Sequence, residues 1–394
     1  MADLVIAGGG FAGLWSAMAA SRLAAEARLP LDVLLVSTGP DLVIRPRLYE
    51  ADPARMRVPL DDVLGPLGVR REQAAVTGVN LADQCVELVF ADGRSEWEPF
   101  RRLVVATGSD VRRPVFEGAE LVHDVDTLGG ATALDAHLRE LSSGEYTAVV
   151  AGSGFTGVEV ACELVSRLKA VAGGEPVKVC LVELADRLSP RLGSGPREVI
   201  SAALGSLGVE VLLGTGIRRV TPGAVMLSDG AVIEAHTVVW TAGVAASPLA
   251  AKVGGSLDAL GRLHVDRHLR VPEAPSVFAA GDVAAAETGD GHVTLPSCQH
   301  AIPLGKRAGH NAAAELLGLP VTPFTAEPYA TCLDLGPAGA LLSTGWERTV
   351  VLTGPDAKTL KRTINEQRIY PPTGDREAIL AAADPDHTWV PKGS

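Results

Sequence analysis

The stretch Leu4-Val5-Ile6-Ala7-Gly8-Gly9-Gly10-Phe11-Ala12-Gly13 returns in altered form as Thr147-Ala148-Val149-Val150-Ala151-Gly152-Ser153-Gly154-Phe155-Thr156-Gly157. Each copy is a short apolar run, a G-x-G-x-x-G turn and a stretch of helical composition. The helices reach about Arg28 and about Ala170, and apolar runs at 33–36 and 177–182 supply the next strands. Strand, glycine turn, helix, strand opens a parallel, right-handed βαβ unit. In each copy the first glycine permits the tight turn and the second lets backbone approach a pyrophosphate. The third lets helix and strand pack closely. The free N–H groups and positive dipole end of each helix then face the phosphates. Two such units predict an α/β protein with two Rossmann-like dinucleotide-binding domains built on parallel sheets.

Outward from these turns, other segments fall into place. Residues 86–90 with the Asp92-Gly93 turn read as a hairpin. Residues 103–108 form a buried strand ending in Thr107-Gly108. Its counterpart, after the Ser228-Asp229-Gly230 turn, is the strand ending in Ala242-Gly243. A third strand, at 277–282, ends in Gly281-Asp282. We assign 1–112 and 258–319 to the first dinucleotide domain, 113–257 to the second, and 320–394 to a C-terminal segment. The last twenty or so residues are polar and are expected to be mobile.

Composition narrows the partners. The 394 residues hold 35 Lys plus Arg against 47 Asp plus Glu, a formal net charge of −12. That argues against nucleic acid or anionic lipid as the main partner. Apolar residues make up 47%, which excludes a disordered chain. No secretory leader or long uninterrupted apolar run is visible, so no integral membrane segment is expected. The five cysteines have neither C-x-x-C nor metal-ligand spacing, which fits a reducing cytoplasm and no metal site.

The strand after the second turn ends at Glu183. A carboxylate there can accept hydrogen bonds from both ribose hydroxyls and repels a 2′-phosphate, favouring NADH over NADPH. In the first copy that position is Ser37, whose hydroxyl lacks the charge-assisted strength of a carboxylate. Asp282 can reach a hydroxyl chain on a cofactor, or cap the stretch that follows it.

Taken together, the two glycine turns, Ala106-Thr107-Gly108, Gly154-Phe155-Thr156-Gly157-Val158-Glu159, Val238-Val239-Trp240-Thr241-Ala242-Gly243-Val244 and Phe278-Ala279-Ala280-Gly281-Asp282-Val283 resemble the FAD-dependent pyridine nucleotide–disulfide oxidoreductase superfamily. Within it the similarity is to type II NADH dehydrogenases, over residues 1 to about 318. The resemblance implies FAD on Gly8, Gly10, Phe11, Ala12 and Gly13, with Ser37, Thr107, Gly108, Gly281 and Asp282 around it. It implies NADH on Gly152, Gly154, Phe155, Thr156, Gly157, Glu183 and Gly243. Arg45 and Pro46 belong to a segment that sits beside the flavin in such enzymes. Gln299 falls on the first Gln of their Ala-Gln-x-Ala-x-Gln quinone-site motif. Pro303 stands where the second Gln would be, and the amphipathic, membrane-docking C-terminal helices of these dehydrogenases have no counterpart in 375–394.

Residues 38–84 contain no cysteine, so a redox Cys pair after the first βαβ unit is missing and disulfide reduction is not expected. Cys162 and Cys332 invite a sulfide:quinone oxidoreductase reading; inert buried thiols are the simpler one. Three residues are candidates for catalysis. Glu159 could orient the nicotinamide or shuttle a proton, or only complement its helix dipole. His300 could protonate an acceptor, or be structural. Gln299 is the third. Arg45 and Arg47 could neutralise a reduced flavin, steer an acidic substrate or be solvated loop residues.

The reading is a soluble FAD oxidoreductase that takes a hydride from NADH and passes electrons to a quinone-like or other small-molecule acceptor. A biosynthetic flavoenzyme acting on one metabolite and an NADH-responsive redox-binding protein with little turnover remain alternatives. A homodimer is an open expectation, with residues 320–372 as either its interface or a cover over the flavin.

Overall fold

The computed structural model describes residues 2–387. Strand Ala2–Ala7 sits mid-sheet, parallel on one side to Val33–Ser37 and on the other to Ser95–Val105. The sheet continues to Arg70–Gln73 at one edge and, on the other side, through Ala274–Ala279 to the short antiparallel edge strand Arg270–Val271. It therefore draws strands from both ends of the first 280 or so residues. A second, all-parallel sheet runs Glu210–Leu213, Lys178–Glu183, Thr147–Ala151, Thr237–Trp240. The near-continuous Val, Leu, Ile and Ala of these strands reflects burial on both faces.

Helices Phe11–Ala27 and Phe155–Val171 follow the two central strands, close to the expected ends at about Arg28 and Ala170. The twenty-residue helix Cys298–Leu317 lies along the first of them. Its closeness has a specific cause: a Cβ on Gly305 would lie 2.3 Å from the Ala12 carbonyl oxygen, and one on Gly309 would lie 2.1 Å from that of Ser16. Only glycine allows this approach. The Ser16 hydroxyl fills the seam by donating to Ala12 O and Gly305 O.

Two expectations need correction. The hairpin at 86–93 and the buried strand at 103–108 are not separate elements. One eleven-residue strand, Ser95–Val105, pairs antiparallel with Cys85–Val89 at its start and parallel with the central strand at its end. The polar tail is also more ordered than its composition suggests. Arg376–Ala382 is a helix capped by the Asp375 carboxylate, which accepts from Glu377 N and Ala378 N. Ile379 and Ala383 are fully buried in the core of the first domain. The end of that tail, 388–394, lies outside the described residues.

The C-terminal segment forms an antiparallel sheet, Ala330–Asp334, Ala340–Thr344 and Thr349–Thr353, followed by helix Gly354–Thr363. It packs against the helix of the second glycine turn and ties back to the first domain. Tyr49 donates to Asp334 at 3.0 Å, and Arg47 donates to the Tyr370 hydroxyl at 3.0 Å.

Candidate functional site

The two glycine turns are built alike. A Cβ on Gly13 would fall 1.8 Å from Gly8 O, and one on Gly157 would fall 1.8 Å from Gly152 O. These glycines let each helix start hard against its strand. Gly8 and Gly152 hold φ of +118° and +100°, a region that L side chains rarely adopt. Around the positions of a Cβ on Gly10 or Gly154 there is open space. Neither helix has a side-chain cap on its first N–H groups. By contrast, Ser297 and Thr127 cap the helices that follow them. Two uncapped helix ends facing open space are suited to phosphates.

A cleft of about 760 Å³ begins at the first turn. Gly8, Gly10, Phe11, Ala12 and Ser37 form one end, and Arg45, Pro46, Thr107, Gly108, Gly281 and Asp282 continue it. At the far end Thr156 and Glu159, from the helix of the second turn, enter the same wall. The Thr107 hydroxyl is buried with no hydrogen-bond partner among the described residues, an open site for a cofactor atom. Together with the bare Gly10 cradle, this fits an extended dinucleotide such as FAD.

Charged groups in the wall are already engaged. Asp282 accepts from Ser109 Oγ at 2.8 Å, and Arg45 ion-pairs with Asp126 at 3.1 Å and Asp282 at 3.7 Å. Arg45 is therefore neither a free cation nor a solvated loop residue; it fixes Asp282. Ser37 donates to the Gly39 carbonyl, leaving its lone pairs to accept from a ribose. At the second turn, Glu183 accepts from Ser153 N at 2.8 Å and from Ala185 N at 2.9 Å. Burial pushes the Glu183 carboxyl up, but these bonds outweigh it and hold it below its ordinary range, hence ionised. Gly243, with φ of +100°, turns the chain so that Val244 joins the cleft wall.

Glu159 is 9% exposed. Its carboxylate pairs with Lys361 at 2.9 Å and accepts from Asp334 N at 3.0 Å. Burial pushes its carboxyl above the ordinary range despite Lys361. Glu159 is the fifth residue of helix Phe155–Val171, beyond its first turn, so it is not a first-turn partner of the helix dipole. Lys361, Lys358 and Asp334 have no signal in the sequence: they sit on a short helix and strand far along the chain, outside any motif.

Gln299 and His300 do not enter the cleft wall, whereas their neighbours Cys298 and Ala301 do. The Gln299 amide donates to Pro328 O. His300 is buried, its Nδ1 among Leu295 and Ser297 and its ring parallel to Tyr329, with centroids 5.5 Å apart. Burial lowers its pKa, which disfavours the imidazolium. Cys162 is fully buried and its thiol is pushed up to about 12 by burial, so it is inert. Among the described residues no group of His, Cys, Asp and Glu is arranged to hold a metal, and no helix is long and apolar enough to cross a membrane.

One glycine turn forms an end of the cleft, and the helix of the other sends Thr156 and the buried Glu159 into its wall, although Gly152, Gly154, Gly157 and Glu183 do not themselves line it; two such turns in one fold are the mark of a two-nucleotide oxidoreductase. Residues 2–305 match the family described as pyridine nucleotide-disulphide oxidoreductase, and the chain belongs to that family. An NADH dehydrogenase-like protein of Mycobacterium tuberculosis is 44% identical over 398 residues, covering 98% of each chain. The type II NADH:quinone oxidoreductase of the same organism is 30% identical over 364 residues, covering 83% of this chain and 75% of that one. The fold matches NDH2 from Plasmodium falciparum, solved in complex with NADH, with a TM-score of 0.78. That match covers 97% of this chain and 98% of the other at 13% identity. By family, then, this is an NAD(P)H-dependent FAD oxidoreductase that binds FAD and NADH.

Proposed function

We propose that the protein oxidises NADH and passes the electrons to a quinone-like or other small diffusible acceptor. The observation that carries this reading is that Glu159 and Thr156, from the second turn's helix, line the cleft that starts at the first turn. The flavin, when bound, supplies the redox chemistry, accepting a hydride and releasing an electron pair. The protein's share is positioning and proton control. Gly152, Gly154 and Gly157 admit the dinucleotide of NADH, and Glu183 takes its ribose hydroxyls. Glu159, raised by burial and tethered to Lys361, is placed to hand a proton to an acceptor at that end of the cleft. The similarity to a type II NADH:quinone oxidoreductase supports a quinone-like acceptor. No cysteine relay is needed, since the nicotinamide and the acceptor reach one cofactor directly.

The test is anaerobic. The FAD-loaded protein is mixed with NADH and separately with NADPH, and short-chain quinones and other acceptors are then added one at a time. NADH should bleach the flavin faster than NADPH, and a quinone should restore its colour. Re-oxidation by none of the quinones would remove the quinone-like acceptor. Preference for NADPH would overturn the role given to Glu183.

A further inference from the structure

Six cationic side chains are buried among the described residues. Arg167, Arg262, Arg307 and Lys361 each have a carboxylate partner within 3 Å. Lys306 sits over the Trp15 ring, 4.8 Å from its centroid, and Arg348 has no carboxylate at ion-pair distance among the described residues, although it is only 6% exposed. Its guanidinium lies between two rings, 4.8 Å from the centroid of Phe155 and 4.9 Å from that of Tyr329. Nη1 donates to Thr331 Oγ1 at 2.6 Å. A sandwiched guanidinium keeps its in-plane edge for hydrogen bonding, and one donor accounts for only part of that fork. A buried cation without an acid carries an unrepaid desolvation cost until an anion completes it.

Position gives the anion's identity. Phe155 is the residue directly after Gly154, at the uncapped end of the second turn's helix. Arg348 comes from the other side, at the tip of the hairpin between Ala340–Thr344 and Thr349–Thr353. That tip also rests on the loop beyond Glu183, where a Cβ on Gly193 would be 3.5 Å from Glu347 O. The hairpin thus spans from the ribose-side loop to the glycine turn. Arg348 holds a left-handed φ of +55°, a conformation costly for a side chain of its size. The left-handed backbone and the aromatic contacts hold the cation beside Phe155, the first residue after the glycine turn at which a dinucleotide would present its phosphates.

We propose that Arg348 is a pyrophosphate ligand for NADH, contributed by the C-terminal hairpin and held ready by Phe155, Tyr329 and Thr331. The inference rests on the second glycine turn being the NADH site and adds a residue to it from outside both dinucleotide folds. It explains why a C-terminal element is packed against that turn. The hairpin completes a binding site as well as joining the two domains.

The test uses FAD-loaded protein and two probes. ADP-ribose carries the pyrophosphate without nicotinamide, and its dissociation constant is read by calorimetry. N-benzyl-dihydronicotinamide carries the reductant without phosphate, and its rate of flavin bleaching is read anaerobically. Arg348→Gln should weaken ADP-ribose binding about ten-fold or more, the size expected for a charge-assisted contact, and leave bleaching by the phosphate-free analogue unchanged. Arg348→Lys keeps the charge without the fork and should fall between. Should Arg348→Gln fail to load FAD, Arg348→Lys and Thr331→Val, each expected to weaken ADP-ribose several-fold, decide the matter. ADP-ribose affinity within two-fold of the parent in these variants overturns the proposal, as does equal loss with both probes, which marks a structural role. Glu183→Ala, measured alongside, separates the two levels. If it weakens ADP-ribose while the Arg348 variants do not, only the arginine's role falls. If neither does, the second turn is not the NADH site and the proposal falls with it.

Discussion

Glu159 shows how one residue's meaning depends on its surroundings. It lines the cleft, it is buried, and among the described residues its ion-pair partner is Lys361. Burial raises its pKa, so the protonated form persists to higher pH than for an ordinary glutamate. If it donates the proton, turnover with a quinone declines as pH rises through that raised pKa. Glu159→Gln should keep its FAD, lose roughly a hundred-fold or more of its acceptor-reduction rate and lose that pH limb. A steady-state pH profile of parent and variant checks this; an unaltered profile in Glu159→Gln would remove the residue from proton transfer. Glu159 was legible in the sequence because it follows Gly157 by two residues. Its partners were not, because nothing local in Thr359-Leu360-Lys361-Arg362 announces a buried ion pair. Gln299 and His300 do not line the cleft, for a related reason. A motif position fixes a place on a helix, but the face turned to the cleft is that of Cys298 and Ala301.

At the scale of elements, the two strand–turn–helix units are superficially interchangeable, yet they should fail separately. Gly13→Ala drives a Cβ into Gly8 O, and Gly157→Ala drives one into Gly152 O, each at 1.8 Å. Gly13→Ala should yield protein that does not retain FAD. Gly157→Ala should retain FAD and its colour but lose NADH binding. Flavin content after gel filtration, with NADH affinity by calorimetry, distinguishes them; parallel loss of both ligands in both variants would mean the cradles are not independent. These units were readable because their glycines obey local backbone and packing rules. The seam between Phe11–Ala27 and Cys298–Leu317 was not read, although Gly305 and Gly309 are spaced four apart on one helix face. A small-residue pair shows that something comes close without showing what. The continuous strand Ser95–Val105 was likewise divided, because its charged first half pairs in a solvated hairpin and its apolar second half in the core.

Across the whole molecule, the C-terminal segment is the least legible part, yet it ties to both domains. Its strands are short, and its bonds reach both domains: Tyr49 to Asp334, Arg47 to Tyr370 and Arg22 to Asp384 at 3.4 Å in the first, and Glu159 to Lys361 at 2.9 Å in the second. Such contacts over long sequence separations leave no periodic trace. Acid should loosen the assembly at the second domain. The His123 ring lies tilted against His137 with centroids 4.7 Å apart, and burial, with the neighbouring His137, pushes its pKa down to about 4. The unfolded chain takes up that proton near pH 6.5. Between these values the unfolded state binds more protons, so stability falls as pH drops from about 6.5 to about 4. The melting temperature should decline over that window and decline less in His123→Gln; identical slopes would exclude this histidine as the cause. The central claim, that both glycine turns serve one cleft, is tested most directly by mixing anaerobic FAD-loaded protein with NADH in a stopped-flow instrument. Bleaching whose rate saturates with NADH concentration is the expected result. Flavin that stays oxidised while calorimetry shows NADH bound would contradict that claim.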